Sequence, residues 1–323
     1  MATTNRQWLC LALIALFIFG APRPAYVAGA EPPRKPKPPD LNRSAFIKMN
    51  VDMTLVNVSV TDSLNNSVTS LNKENFKVYE DGIEQEVSAF SSEDVPISVG
   101  LIFDISGSME NKFDRARQAA VQFLRTANPR DEFFLVSVRD RAELTNRFTP
   151  NIEELVNRVM FTAPGGRTAL LDAVYIGLDQ IRNAHNARRA LLIISDGGDN
   201  HSLYNEADIR SSLKESDCQL FAMGIFDHSH IGRKSEERYG WSLLSELVET
   251  TGGRVFPISK LTDLPDIASR IGMELRNQYV LGYKPRDTRH NRVWRKIKVK
   301  LNAPTGLPPV KVYARAGYYA PTE

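Results

Sequence analysis

Cysteine is nearly absent: the 323 residues hold two, Cys10 and Cys218. Removal of an N-terminal leader would leave Cys218 alone, so no internal disulfide can brace the mature fold. Cys218 opens the apolar stretch 218–223 and reads as a buried core thiol. An excess of charge of one sign is missing too. Lys and Arg number 41 against 38 Asp and Glu, a net charge of +3, and they are scattered. That balance gives no electrostatic footprint for nucleic acid. The apolar run 9–19 is too short to span a bilayer comfortably, which takes about 20 residues. Three signatures of nucleotide or acyl chemistry are also lacking. There is no G-x-x-x-x-G-K-[ST] loop, no G-x-S-x-G elbow, and no G-x-G-x-x-G after the first apolar strand, where Asp104-Ile105-Ser106 stands instead.

The N-terminus is ordered like a secretory signal. Arg6 precedes the apolar run 9–19, and the small residues Ala28-Gly29-Ala30 follow as a cleavage pattern. Cys10 lies inside the apolar run rather than after it, which is the wrong place for lipid attachment. Residues 31–40, EPPRKPKPPD, contain five prolines and form neither helix nor central strand. They read as a stiff extended tether. Export to the periplasm, the cell envelope or the medium is therefore expected, with no membrane span once the signal is cleaved.

From about 46 to 93 the pattern has period two. Val56, Val58 and Val60 alternate with Asn57, Ser59 and Thr61, and Asp81-Gly82 marks a tight turn before Val87 and Ala89. The rhythm then changes. Near-continuous apolar runs at 97–103, 133–138, 190–194 and 220–225 have the character of strands buried on both faces. Helical patterns separate or follow them at about 110–126, 151–160, 168–183, 206–216 and 241–251. A last helix is expected near 261–277. Alternating strands and helices imply βαβ units, hence an α/β fold with a doubly wound, mostly parallel sheet. Period two returns after 279, in Tyr279-Val280-Leu281, then Ile297, Val299 and Leu301, then Val310, Val312 and Ala314. Two or three strands at either end cannot bury a core alone. Paired, they make one small β-sandwich with the α/β unit inserted between its halves; otherwise they extend or cover that unit. The expected division is a signal at 1–30, a linker at 31–40, half a β domain at 41–95, the α/β domain at 96–277 and the other half at 278–323.

Ligands of open α/β sheets bind beyond the carboxyl ends of the strands. Asp104 and Asp196 each close an apolar strand. Ser106-Gly107-Ser108 follows the first, and Gly165-Gly166-Arg167-Thr168 delivers a hydroxyl at the start of another helix. Carboxylate and hydroxyl oxygens suit a hard divalent cation, Mg²⁺ or Mn²⁺. Asp104-Ile105-Ser106-Gly107-Ser108 matches the D-x-S-x-S pattern of the von Willebrand factor type A family, and Thr168 and Asp196 match its later threonine and aspartate. The resemblance covers about residues 96–277. Together with the period-two flanks, the chain is also similar to the bacterial VWFA-related domain proteins.

The resemblance implies a metal-ion-dependent adhesion site. Ser106, Ser108 and Thr168 would contact the metal through their hydroxyls, Asp104 and Asp196 would act nearby, commonly through water, and a partner protein's Asp or Glu would complete the shell. Neutral hydroxyls leave the cation's charge unspent, so an acidic ligand gains more. At about 4 Å and an effective dielectric of about 20, a unit charge pair is worth roughly 4 kcal/mol before desolvation.

Around that set, Asp172, Asp199, Asn200 and Arg167 could steady the rim, or serve as caps, turns and surface groups. His228-Ser229-His230 lacks the further ligands of a transition-metal site. Two other readings stay open: an exported scaffold whose metal only stabilises it, and a magnesium-dependent phosphatase of the haloacid dehalogenase type. The phosphatase needs a second acidic residue two positions after Asp104 to protonate its leaving group, and Ser106 stands there. A non-enzymatic binding module is the expectation.

Overall fold

A computed structural model describes residues 53–322 apart from 227–234, 259, 305 and 307. The expected signal at 1–30, the expected tether at 31–40, the first residues of the N-terminal β half and the His228/His230 pair lie outside the described residues.

The described residues open with four strands, β1 (Thr54–Thr61), β2 (Phe76–Glu80), β3 (Ile83–Gln85) and β4 (Val87–Ser91). The α/β unit follows: β5 (Ile97–Asp104), α1 (Phe113–Leu124), β6 (Glu132–Val138), β7 (Ala142–Thr149), α2 (Ile152–Met160), α3 (Leu170–Gln180), β8 (Arg188–Ser195), α4 (Glu206–Glu215), β9 (Gln219–Ile225), α5 (Ser235–Thr251), β10 (Val255–Ile258) and α6 (Leu264–Arg276). The chain closes with β11 (Tyr279–Tyr283), β12 (Trp294–Leu301), β13 (Lys311–Ala314) and β14 (Gly317–Tyr319).

The central sheet has the order β10-β9-β8-β5-β6-β7. All its pairings are parallel except β6 with β7. Strand β5 is buried along its whole length, which is why its sequence is an unbroken apolar run. Helices α1, α2 and α6 cover one face through Phe123, Leu155 and Ile271, among others. Helices α3, α4 and α5 cover the other through Leu171, Leu213 and Leu244. Sheet order reverses at β5, with β6 on one side and β8 on the other. The carboxyl ends of β5 and β8 thus flank the switch point where a crevice opens.

The flanks form the two remaining sheets, β13-β1-β11-β4 and β14-β12-β2-β3. Each mixes strands from both ends of the described chain, with Val56 opposite Leu281 and Val78 opposite Val299. Val56, Val58, Phe76, Val78, Tyr279, Leu281 and Ile297 share one core, the small sandwich expected from the period-two flanks. The Tyr279 hydroxyl accepts from Leu71 N–H (3.0 Å) and donates to the Val68 carbonyl (2.8 Å), so burial leaves it satisfied.

Several local expectations shift. Asp81-Gly82 turns the chain with positive φ at both residues, 48° and 85°, as a two-residue hairpin demands. The returning arm is β3, however, whereas Val87 and Ala89 cross into the other sheet and pair with β11. Helix α1 begins at Phe113 rather than near 110, because Gly107–Lys112 forms a tighter 3-10 turn first. Strands β7 and β10 had no counterpart in the apolar runs. Cys218 is buried, and burial pushes its thiol pKa up, as a core thiol requires. Among the described residues no helix is long and apolar enough to cross a membrane.

Candidate metal centre

Three loops meet in the crevice. The first follows β5. Ile105 and Met109 are buried in the core on the α1 face of the sheet, Ser106 is buried as well, and Ser108 is exposed. The second, 165–168, is laced to the first by two backbone bonds, Gly165 N–H to the Ile105 carbonyl (2.8 Å) and Gly107 N–H to the Gly166 carbonyl (2.9 Å). Gly166 takes φ +86°, a left-handed backbone that side chains with a Cβ rarely adopt, so glycine is favoured there. The third loop follows β8. Its Gly197 has φ +79°, and a Cβ would meet the Gly240 carbonyl oxygen at 2.4 Å.

Four of the five sequence-derived positions are linked in one chain of hydrogen bonds. Asp104 is fully buried; its Oδ1 accepts from Ser106 N–H (2.9 Å) and its Oδ2 from the Ser195 hydroxyl (2.6 Å). Ser106 Oγ lies 3.1 Å from Ser108 Oγ, and Ser108 Oγ lies 3.4 Å from Asp196 Oδ1. The fifth, Thr168, is tied to the same crevice by its backbone. Its N–H donates to Asn200 Oδ1 (3.0 Å), and its carbonyl accepts from the N–H groups of Asn200 and His201, each at 3.0 Å. The Thr168 hydroxyl makes no hydrogen bond among the described residues.

The electrostatics are strained in one direction. Burial, and then the negative charge of Asp196, push the Asp104 carboxyl up to about 6, against the pull of its Ser106 and Ser195 donors. Two carboxylates that repel one another, bordered by hydroxyl oxygens, are a donor set suited to a hard cation. No cluster of three or more His, Cys, Asp or Glu gathers among the described residues, so such a cation would rely on hydroxyls as much as on carboxylates. The donor set fits Mg²⁺ or Mn²⁺.

The surrounding residues resolve into supports. Asp199 Oδ1 accepts from Leu170 N–H (2.9 Å) and from the Ser202 hydroxyl (2.6 Å), capping the start of α3. Burial raises its pKa. Asp172 Oδ1 holds the backbone N–H of Leu203 and of Tyr204, a tether for the rim rather than part of the oxygen set. Asn200 steadies Thr168, and Arg167 reaches His201 Nδ1 at 3.3 Å. Two contributors escaped the sequence reading. Ser195, immediately before Asp196, holds Asp104. Lys112 brings its Nζ to 3.0 Å from Asp196 Oδ2. Ser195 could have been suspected from its place at the same strand end, but no motif pointed to Lys112.

An open, mostly parallel sheet with an oxygen-lined crevice at its switch point defines the class of protein. Residues 99–198 match the family model of the von Willebrand factor type A domain, and the chain carries such a domain. No curated protein matches the sequence. Among solved structures, the conserved hypothetical protein BatB from Bacteroides thetaiotaomicron is similar at 12% identity. That match covers 56% of this chain and 98% of that one, with a TM-score of 0.44. A von Willebrand factor type A protein from Catenulispora acidiphila is 13% identical over 83% of this chain and 62% of its own, with a TM-score of 0.49. The PilB minor pilin from Streptococcus sanguinis is 15% identical over 58% of this chain and 63% of its own, with a TM-score of 0.45.

Proposed function

We propose that this chain is an exported, non-enzymatic protein-binding module that captures an Asp or Glu side chain of a partner protein through a divalent metal held at Asp104, Ser106, Ser108, Thr168 and Asp196. The observation that carries the reading is the hydrogen-bonded chain in which Asp104 accepts from Ser106 N–H and the Ser106 and Ser108 hydroxyls lead on to the Asp196 carboxylate, at the switch point of the sheet. A bound Mg²⁺ or Mn²⁺ would supply an open coordination position for a carboxylate oxygen. The chain's residues do the rest. Ser106, Ser108 and Thr168 offer neutral hydroxyls that leave most of the positive charge for the partner. Asp104, fixed by Ser106 N–H and Ser195, would offset part of that charge. The rim loop, tethered through Asp172 and Asp199, leaves Leu203 almost fully exposed beside the crevice for contact with a partner. The signal-like N-terminus supports export to the periplasm, envelope or medium.

The test is calorimetric titration of the full chain with MgCl₂ or MnCl₂, with and without a short Asp-containing peptide, alongside circular dichroism. Asp104→Ala and Thr168→Ala should keep the fold while metal binding falls at least about tenfold, since each removes a group beside the cation. Equal binding by both variants and the wild type, or no binding by the wild type even with peptide, defeats the assignment. Metal binding that peptide leaves unchanged would point instead to a purely stabilising metal.

A further inference from the structure

The crevice contains a positive charge of its own. Lys112 ends the 3-10 turn Gly107–Lys112 that bears Ser108, and its Nζ lies 3.0 Å from Asp196 Oδ2, with side chains 12% and 9% exposed respectively. The other oxygen of that carboxylate, Oδ1, faces the Ser108 hydroxyl at 3.4 Å and the Gly198 N–H at 3.3 Å. Asp196 is thus divided between an ammonium and the hydroxyl row. An ammonium is strongly hydrated, and a lysine serving only solubility keeps its head in water. This one gives up most of its hydration to sit against a candidate metal-site carboxylate. Burying a charge is costly unless it is paired, so each of the two groups holds the other in place.

We propose that Lys112 is a built-in counter-charge that neutralises Asp196 when no divalent cation is bound, and so sets both the metal affinity of the crevice and its demand for an acidic partner. The inference rests on the metal-site reading above. Among the described charges, Asp104, Asp196 and Lys112 together sum to one negative charge. A divalent cation then makes that sum positive by one, and an incoming carboxylate brings it to neutrality. Without Lys112 the same cation is already balanced by the two aspartates, and a partner's carboxylate gains less. Lys112 therefore weakens binding of metal alone and strengthens the coupling between metal and acidic ligand. Such coupling is reciprocal, so each ligand raises the affinity for the other by the same factor.

The experiment uses the full chain as wild type, Lys112→Met and Lys112→Arg. Each is titrated with MnCl₂, then with an Asp-containing peptide at saturating MnCl₂, and melted in EDTA and in MnCl₂. Lys112→Met should bind Mn²⁺ at least about tenfold more tightly, because removal of one nearby charge relieves a repulsion of more than about 1.4 kcal/mol. It should bind the peptide correspondingly more weakly. Its melting temperature should fall in EDTA and recover in MnCl₂ by more than that of the wild type, while Lys112→Arg should behave as the wild type does. If Lys112→Met binds Mn²⁺ no more tightly, or melts lower by the same amount with and without metal, Lys112 is an ordinary structural ion pair and the inference fails while the metal site stands. If neither protein binds Mn²⁺, both readings fall together.

Discussion

Two buried charge clusters in this molecule are built to opposite rules. In the sandwich, Glu80 and Arg295 are each 3% exposed. Glu80 Oε1 accepts from Arg295 (3.3 Å), and its Oε2 accepts from the hydroxyls of Tyr283 (2.6 Å) and Tyr318 (2.9 Å). Arg295 also donates to the carbonyls of Asp287 and Arg289. Burial, and then the neighbouring Glu80, push the Tyr283 hydroxyl far above its ordinary pKa, so it remains a donor. Acid, base and donors close on one another. In the crevice, by contrast, two acids border a row of hydroxyls, and Lys112 pairs with Asp196 alone of the two. Asp104 is driven toward its protonated form, and the Thr168 hydroxyl has no described partner. A cluster that holds a fold together uses up its hydrogen-bonding capacity. One that awaits a ligand leaves some of it open, at a cost in stability.

The contrast can be broken at its strongest point first. Arg295→Met strands Glu80 in the sandwich core, and loss of one partner from a buried pair costs about 3–5 kcal/mol. Urea denaturation should show a loss of that size, equal in EDTA and in Mg²⁺. A loss under about 1 kcal/mol would mean the cluster is not closed in the sense described.

A smaller effect, of opposite sign, is expected from the crevice. In the unfolded chain Asp104 titrates near 3.8, and in the metal-free fold near 6. Between those values the folded state holds the extra proton, so stability falls as pH rises through that window, by about 3 kcal/mol in all. Asp104→Asn carries no such proton. In EDTA it should be more stable than the wild type at pH 7 and should lack the Asp104 part of the decline between pH 4 and 6. Denaturation curves at pH 4, 5, 6 and 7 decide the matter, and coincident profiles for the two proteins would remove the crevice's claim to be destabilising.

The smallest expected change is the most selective. Ser108 is exposed, so Ser108→Ala should alter the unfolding free energy by no more than about 0.5 kcal/mol. Calorimetry should nevertheless show weaker Mn²⁺ binding, since one hydroxyl of the row is gone. Unchanged Mn²⁺ affinity would take Ser108 out of the candidate set.

The sequence was most legible where burial is one-sided or complete. The run 97–103 had to be a central strand, and β5 is buried throughout. Val56, Val58 and Val60 had to share a face, and all three lie in the sandwich core. Strand β7 stayed hidden because it is the antiparallel edge of the sheet. It reads AELTNRFT, is only part-buried, and pairs with β6 through two register shifts. Strand β10 has four residues and a proline, too short for any period to show. In the crevice, the convergence of the loops that bear Asp104, Ser106, Ser108, Thr168 and Asp196 was legible because glycines and strand ends mark those loops. Lys112 was not, because its direction depends on how the 3-10 turn of Gly107–Lys112 winds, and a local pattern does not carry that information.

The interleaving of the sandwich strands has a consequence for how the chain comes together. Thr54 pairs with Tyr283, and Val58 with Ala314, partners more than 200 residues apart. Closing so long a loop in an unfolded chain is entropically costly, and pairings of this kind form slowly. The α/β unit shortens the search. It begins just after β4 and ends just before β11, and those two strands are neighbours, with Ser91 opposite Val280. Once α6 packs onto its sheet, the two ends of that unit are held side by side, and the distant strands need only zip outward from them. Until then the apolar faces of β1 and β2, with Val56, Val58 and Phe76, have no partner sheet. During synthesis this segment must therefore wait, exposed to solvent or to a chaperone, while roughly two hundred residues are made and folded behind it.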